Sequence, residues 1–438
     1  MSIDAALLMN NKPCSCGRVH RVAIKKILLG KGVLTEIPAL LSKAGISRAF
    51  LIADKNTYRA AGERVEKLLM LAGIDALTYV YGDDPLLPDE KSVGKAVMHF
   101  TRDCDVIIGV GSGVINDIGK LTATIYGVPY MIVGTAPSMD GYASATVSME
   151  RDGLKLTLPA KTPEYIVGDS EILVKAPGKM LLAGVGDMIA KYVGICEWRI
   201  GKVVTGEYYC EEIAELMRSS LRVCLENASA LLRRNEEAAL VFFEALVTAG
   251  IAAAYAKSSR PASGVEHYFS HIFDMRGISF GTPTALHGLQ CGVGTLTTLR
   301  LYEKLVTIMP NKEKALSYTE SYDYEERENQ LASLIGEGSK AMILKEKAEQ
   351  KLGRENHSKR LAKILSGWGE IQKIIAEELP SSAEIRLLLT KLGAPTTASE
   401  LGIDESLMPL IFKATKDVCN KYVLSHLAWD IGVLEELM

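Results

Sequence analysis

Up to about residue 172 the chain switches repeatedly between two hydrophobic periods, and beyond it only the helical one persists. "RAFLIAD" (48–54), "ALTYVYG" (76–82), "CDVIIGVG" (104–111) and "PYMIVGTAP" (129–137) are short apolar runs that read as strands. Between them, "AAGERVEKLLMLAG" (60–73), stopped by a glycine, and "EKSVGKAVMHF" (90–100) have helical spacing. Strand and helix in turn, joined by short links, predict a parallel sheet with helices on both faces. Such sheets bind ligands at the carboxyl ends of their strands. From "PGKMLLAGVGDMIAKYVGICEWRI" onward the pattern is a series of long amphipathic helices. The expected division is an α/β domain over 1–172 and an all-α domain over 173–438. Within the latter, the charged section 311–360 reads as solvated helices or an insertion.

A chain of 438 residues is too long for one ordinary core and suits two or three domains. Hydrophobic residues make up 48%, enough for a large interior. A net charge of −3 gives no electrostatic reason to expect nucleic acid or an anionic membrane as partner. Aromatics, at 6%, offer no stacking platform for bases. "AALVFFEALVTAGIAAAYA" (238–256) imitates a membrane span, but Glu244 lies at its centre and no aromatic or basic belt brackets it. It reads as a buried helix, so no membrane span is expected. The N-terminus has no basic region followed by an apolar run, hence no signal peptide. The eight cysteines form no disulfide framework in so long a chain, which points to reduced thiols and a cytoplasmic protein.

"DVIIGVGSGVINDIGK" (105–120) ends a strand at glycines and opens a helix near Gly113. Gly111 and Gly113 lack Cβ, so a phosphate could approach the backbone, and the amides at the helix start favour an anion. The spacing is not G-x-G-x-x-G, because Asn116 takes the last glycine's place. A tight βα turn is the plain alternative. Asp117 and Lys120 weigh against it, being polar on a helix that buries Ile115, Ile118 and Leu121. Asp54 ends the first strand read above. There it either takes the ribose hydroxyls of a dinucleotide or caps the next helix.

"EHYFSH" (266–271) places two histidines four apart, on one helical face. It is not the H-E-x-x-H protease motif, since Tyr268 rather than glutamate follows His267. A satisfied core histidine is the ordinary reading of His267 alone. "CSCGRVH" offers Cys14, Cys16 and His20, but C-x-C-x3-H is not a standard zinc spacing and shows no fourth ligand, so it reads as a surface turn. The other six cysteines are scattered and read as core.

"GSGVINDIGK" (111–120), "GTAPSMDGYASATVSM" (134–149), "GVGDMIAKYVGICEWRI" (184–200), "SRPASGVEHYFSH" (259–271) and "ALHGLQCGVGT" (285–295) occur in this order. Together they resemble the superfamily of iron-dependent alcohol dehydrogenases, glycerol dehydrogenases and dehydroquinate synthases. Within it they are most similar to the sn-glycerol-1-phosphate dehydrogenase branch, its bacterial members above all. The likeness covers most of the chain and is weakest over 311–360. It departs from the family's triple-glycine start at Ser112.

The resemblance implies a dehydroquinate-synthase-like fold: an α/β dinucleotide-binding domain followed by a helical metal- and substrate-binding domain. It implies reversible, metal-dependent reduction of dihydroxyacetone phosphate by NADH or NADPH to sn-glycerol 1-phosphate. Asp187, His267 and His287 would bind one divalent ion, zinc or nickel. Asp140, Asp187 and His271 would contact the substrate, with Asp187 and His271 as the catalytic pair. Gly113, Val114, Ile115, Asn116 and Asp117 would cradle the pyrophosphate. Thr135, Ala136, Pro137, Ser138 and Ser144 would line the nicotinamide, and Asp54 the ribose. Lys191 and Arg260 are either cations for the substrate phosphate or ordinary ion-pair residues. A homodimer or larger homo-oligomer is implied. The competing readings are a glycerol dehydrogenase acting on unphosphorylated polyols and a dehydroquinate-synthase-like lyase.

Overall fold

The computed structural model describes residues 13–152, 154–349, 352–418 and 420–438. Residues 1–12, on which the absence of a signal peptide was read, and Cys419 lie outside the described residues. Eight strands are described: β1 (Lys26–Gly30), β2 (Arg48–Asp54), β3 (Asp75–Tyr81), β4 (Val106–Gly111), β5 (Tyr130–Gly134), β6 (Thr146–Arg151), β7 (Leu154–Pro159) and β8 (Tyr165–Asp169). The helices that bear on the argument are α1 (Glu63–Leu71), α2 (Glu90–His99), α3 (Gly113–Tyr126), α4 (Gly178–Ile189), α5 (Lys191–Thr205), α6 (Glu211–Leu232), α7 (Glu236–Ala256), α8 (Val265–Phe280), α9 (His287–Leu305), α10 (Arg354–Glu378) and α11 (Met408–Val418).

Six strands form one sheet in the order β1-β8-β5-β4-β2-β3, and every pairing is parallel. β4, β5 and β8 are buried along their whole length, as continuous apolar runs in a two-faced parallel sheet must be. Sequence periodicity foresees β2 to β5. It misses β1, β8 and the antiparallel β6–β7 hairpin. The direction of chain crossover reverses between β2 and β4. Their carboxyl ends are in register through Ala53 opposite Val110, which sets Asp54 beside the glycine turn after β4.

The chain divides into two compact units, and the division does not fall at residue 172. One runs through Met188 and takes back Glu215–Ser258; the other holds Ile189–Ala214 and Ser259–Met438. The first unit recovers α7 because two strands leave room for it. A Cβ at Gly134 would sit 2.5 Å from Cζ of Phe243, and one at Gly168 would sit 2.7 Å from its Cδ1. The Phe243 ring thus lies directly on backbone, fully buried, with Tyr142 4.7 Å away between centroids. α7 is long and apolar enough to cross a membrane, yet 72% of that apolar window is buried, and it contacts β1, β8 and the Gly141–Ala143 turn. It is a core helix, as its sequence suggests.

In the second unit α8 packs along α9 and α11, and α10 along α5. Residues 311–360 include helices at Lys312–Glu320, Tyr324–Ile335 and Gly338–Glu349. They are not wholly solvated: Arg327 is buried and donates to Asp417 from Nη2 (2.6 Å) and Nε (3.2 Å).

Phe243→Ala leaves a hole against Gly134 and Gly168 that rigid strands cannot close. We expect a stability loss of about 3–5 kcal/mol in urea unfolding.

Candidate functional site

The turn between β4 and α3 contains two glycines with different obligations. A Cβ on Gly111 would lie 2.6 Å from Cβ of Ile115, so packing inside the protein requires this glycine. A Cβ on Gly113 would meet nothing nearer than Cγ of Met139, at 3.7 Å. The space over Gly113 is therefore a cradle that a side chain would fill, at the first residue of a helix of 14. That is the geometry an anion seeks. Ser112, where the family has glycine, is buried and turned inward: its Oγ hydrogen-bonds Oγ of Ser138 and accepts from the Tyr142 hydroxyl at 3.2 Å. Asp54 caps the turn of helix after β2, with Oδ1 accepting from Asn56 N–H (2.7 Å) and Thr57 N–H (2.9 Å). Both bonds use Oδ1, so capping and ribose binding through Oδ2 are compatible.

Of the other residues expected here, Ile115 is core and Val114 half-buried. Asn116 is fully buried; its Nδ2 donates to the Gly141 carbonyl (3.0 Å), and Oδ1 has no hydrogen-bond partner among the described residues. Lys120, also fully buried, donates to Gly141 O (3.0 Å), Ser144 Oγ (2.9 Å) and Thr146 O (2.7 Å), and lies 3.6 Å from Oδ1 of Asp117. Burial pushes Asp117 above and Lys120 below their ordinary values, and the charge of each opposes the shift of the other. Ser144 Oγ also lies within hydrogen-bond distance of Gly141 O (3.1 Å) and Thr146 O (2.9 Å), so it braces the loop. Thr135, Ala136, Pro137 and Ser138 follow β5 and are buried.

Asp140 ends that loop. Its N–H donates to Oδ2 of Asp187 at 2.8 Å. Asp187 is 1% exposed and sits on α4. A Cβ on Gly184, three residues earlier, would lie 2.0 Å from the Pro137 carbonyl oxygen, so only glycine brings α4 this close to the loop. These contacts all lie within the first unit.

In the second unit the rings of His267 and His287 are 5.1 Å apart at 65°. Each has its Nδ1 committed. Nδ1 of His267 is 2.8 Å from Oε1 of Glu266, which also accepts from Gly264 N–H at 2.7 Å and is therefore an acceptor. Nδ1 of His287 is 2.9 Å from Oγ of Ser270. That hydroxyl donates to Oε1 of Gln290 (2.5 Å), and Nε2 of Gln290 donates to Oδ1 of Asp274 (2.9 Å). The chain of donors runs one way, so Ser270 accepts from His287. Both imidazoles are thus Nδ1–H tautomers with the lone pair on Nε2, the state a metal ligand needs. Sγ of Cys291 is 3.5 Å from Nε2 of His287, and His267, His287 and Cys291 each place a ligand atom within 4.8 Å of the others'. The two imidazoles, each with its lone pair on Nε2, are ligands that fit a divalent metal. His271 follows one turn after His267 and is half-exposed, its ring 6.0 Å from that of Tyr268.

Behind His267 lie two buried carboxylates. Burial raises Glu266 to about 7 and Glu197 to about 8, with the charge of Glu266 adding to the latter. Amides at the start of α8 and the Leu424 N–H (2.8 Å to Glu197 Oε1) oppose this. Lys191 and Lys421 also act on Glu266, pulling it down. Arg260 is buried in an ion pair with Glu207 and donates from Nη1 to the Tyr422 carbonyl at 2.9 Å. Its ion-pair alternative is the one the fold uses. Lys421, not singled out from sequence, braces the same loop through Ser259 Oγ and Ser263 Oγ, both at 2.7 Å. Glu266, Ser270, Gln290, Asp274 and Cys291 were also missed as site residues. Only the position of Glu266, immediately before the first histidine, could have drawn attention.

Comparison with known proteins gives the context for these groups. Residues 28–177 match the family model described as iron-containing alcohol dehydrogenase. The glycerol-1-phosphate dehydrogenase [NAD(P)+] of Halalkalibacterium halodurans is 28% identical over 90% of each chain. That of Bacillus licheniformis is 32% identical over 67% of this chain and 74% of its own. That of Methanosarcina mazei is 35% identical over 64% and 76% respectively. Among solved structures, a probable glycerol dehydrogenase from Sinorhizobium meliloti has a TM-score of 0.60 at 18% identity, covering 94% of this chain and 97% of its own. The NADH-dependent butanol dehydrogenase A of Thermotoga maritima has a TM-score of 0.60 at 16% identity, covering 96% and 98%. At such identities the structures speak for the fold alone.

The two glycines separate binding from folding. Gly113→Ala should weaken dinucleotide binding about tenfold or more, roughly 1.4 kcal/mol, in fluorescence titration, with an unchanged unfolding midpoint. Gly111→Ala should instead lower the midpoint.

Proposed function

The chain belongs to the glycerol-1-phosphate dehydrogenases, and from that premise we propose that it reversibly reduces dihydroxyacetone phosphate to sn-glycerol 1-phosphate with NADH or NADPH. The observation that carries the reading is the pair of imidazoles, His267 and His287, each fixed by its Nδ1 so that Nε2 is the ligand atom. Asp187 would complete the ligand set. When bound, the divalent ion supplies a Lewis acid for the carbonyl and the nicotinamide supplies or takes a hydride.

The protein's own residues would do the rest. Glu266 and the Ser270–Gln290–Asp274 relay hold the two rings in place. The start of α3, open above Gly113, would receive the pyrophosphate, with Asp54 Oδ2 on the ribose. Thr135 to Ser138 would flank the nicotinamide. Asp140, its amide fixed on Asp187, and His271 would contact the substrate, His271 exchanging a proton with the hydroxyl formed at the reduced carbon. We place Lys191 beside the substrate phosphate as a candidate only, because its charge already acts on Glu266. A donor set of imidazole and carboxylate suits zinc or nickel, and the bacterial resemblance favours nickel. A cytoplasmic homodimer or larger homo-oligomer is part of the same reading.

The test is NADH oxidation after chelator treatment, with Zn²⁺ or Ni²⁺ restored separately and dihydroxyacetone phosphate compared with dihydroxyacetone. Turnover restored by metal with the phosphorylated ketone alone supports the proposal. Preference for the unphosphorylated ketone, or no net NADH consumption, overturns it. His267→Ala should reduce turnover to background and lower bound metal. Ser270→Ala should weaken metal binding about 10–100-fold in a competition titration while leaving the fold intact, because His287 loses the acceptor that orients it.

A further inference from the structure

The thiols and imidazole ahead of β1 take no part in the site above. Cys14, Cys16 and His20 lie on a tight turn closed by the antiparallel bridge between Pro13 and Val19. Cys14 N–H donates to Arg18 O and Gly17 N–H to Cys14 O, both at 2.9 Å, with Gly17 at φ 80°. The turn lies at the surface, as its spacing suggests, with Pro13, Ser15 and Gly17 to Val19 exposed, but two of its side chains point inward. Cys14 is 7% exposed and His20 3%, with the His20 ring stacked on Tyr255 near the end of α7 at 5.4 Å and 29°.

Three distances describe the cluster. One ligand atom from each of the three residues lies within 4.8 Å of the others. Sγ of Cys16 and Nε2 of His20 are 3.5 Å apart. In a tetrahedral zinc site, Zn–S of about 2.3 Å and Zn–N of about 2.0–2.1 Å put sulfur and nitrogen about 3.6 Å apart. The Cys16 amide is 3.4 Å from Sγ of Cys14, where it can donate to a thiolate. Two thiolates and a neutral imidazole balance a dication, so the charge is compensated where the side chains are buried. The stretch between His20 and β1 has no regular structure.

We propose that Cys14, Cys16 and His20 form a second metal site, thiolate-rich and suited to zinc, that fastens the start of the described chain to the end of α7. Its role is structural. Its soft ligands distinguish it from the imidazole and carboxylate set proposed for catalysis, and the fourth position is taken by a group beyond these three. The site is independent of the proposed activity.

An S–H···N hydrogen bond would have a similar length, so the experiment must see the metal. Full-length wild-type protein, purified without chelator, would be measured for metal per chain and by X-ray absorption at the zinc edge. Cys14→Ser/Cys16→Ser and His267→Ala variants would be measured beside it. The expected result is a zinc shell with at least two sulfurs, kept in His267→Ala and lost in the double variant together with about one zinc per chain. Turnover with added metal should survive the double substitution, and the thermal midpoint should fall. A wild-type zinc shell of nitrogen and oxygen only would overturn the site, as would equal zinc content in wild type and double variant. The wild-type spectrum decides even if the double variant does not fold.

Discussion

One buried ammonium holds the loops after β5 and before β6 to helix α3 in the first unit. Lys120 is fully enclosed and donates to oxygens of Gly141, Ser144 and Thr146. A charge so placed costs several kcal/mol unless it is compensated, and here three acceptors and the nearby Asp117 do so. The consequence is positional. Lys120 and Asn116, both on α3, converge on the Gly141 carbonyl. The adjacent residue, Asp140, gives its amide to Asp187. The helix that would receive the dinucleotide's phosphates thus fixes the loop beside the proposed substrate, and the loop fixes the carboxylate proposed for the metal. Moving the turn after β4 would move all three.

The second unit follows the same logic through a hydrogen-bonded relay. Ser270, Gln290 and Asp274 form a one-way relay whose first donor is a ring nitrogen of His287. Because every acceptor is already specified, His287 has a single tautomer. His267 is specified by Glu266, and the Gly264 amide on the same oxygen forces Oε1 to accept. Burial raises the Glu266 carboxyl above its ordinary value, and the Gly264 amide on Oε1 opposes that rise.

How much of this was legible in the sequence depends on the range of each interaction. Strand runs such as "RAFLIAD" are local, and β2 begins and ends with it. The glycine turn is equally local. The ligand candidates His267 and His287 came from resemblance, since spacing alone could not have joined them across 20 positions. The orienting residues were invisible because their meaning is tertiary. Ser270 matters only because α9 brings His287 and Gln290 alongside α8, and nothing in "HYFSH" announces that contact. Arg260 and Asp54 show the other limit. Each carries the charge its proposed role required, and in the fold each has a partner close in sequence or space: Glu207 for one, the amides of Asn56 and Thr57 for the other.

The domain boundary shows why a change of periodicity need not be a change of unit. Strands end at Asp169, close to where the strand pattern fades, yet α4, most of α6 and α7 remain with the sheet. Helical periodicity shows that a segment will bury a face, but not which surface it will bury it against. Gly134 and Gly168 decide that for α7, by exposing backbone for Phe243 to cover. Read together, a largely apolar helix and two glycines in interior strands of a parallel sheet form a complementary pair. Periodicity reads each segment alone and is blind to such pairs. The same complementarity returns at Gly184, which brings α4 against Pro137 and sets Asp187 within reach of the Asp140 amide. The glycines that shape this unit's packing are therefore also the ones that place its candidate ligand.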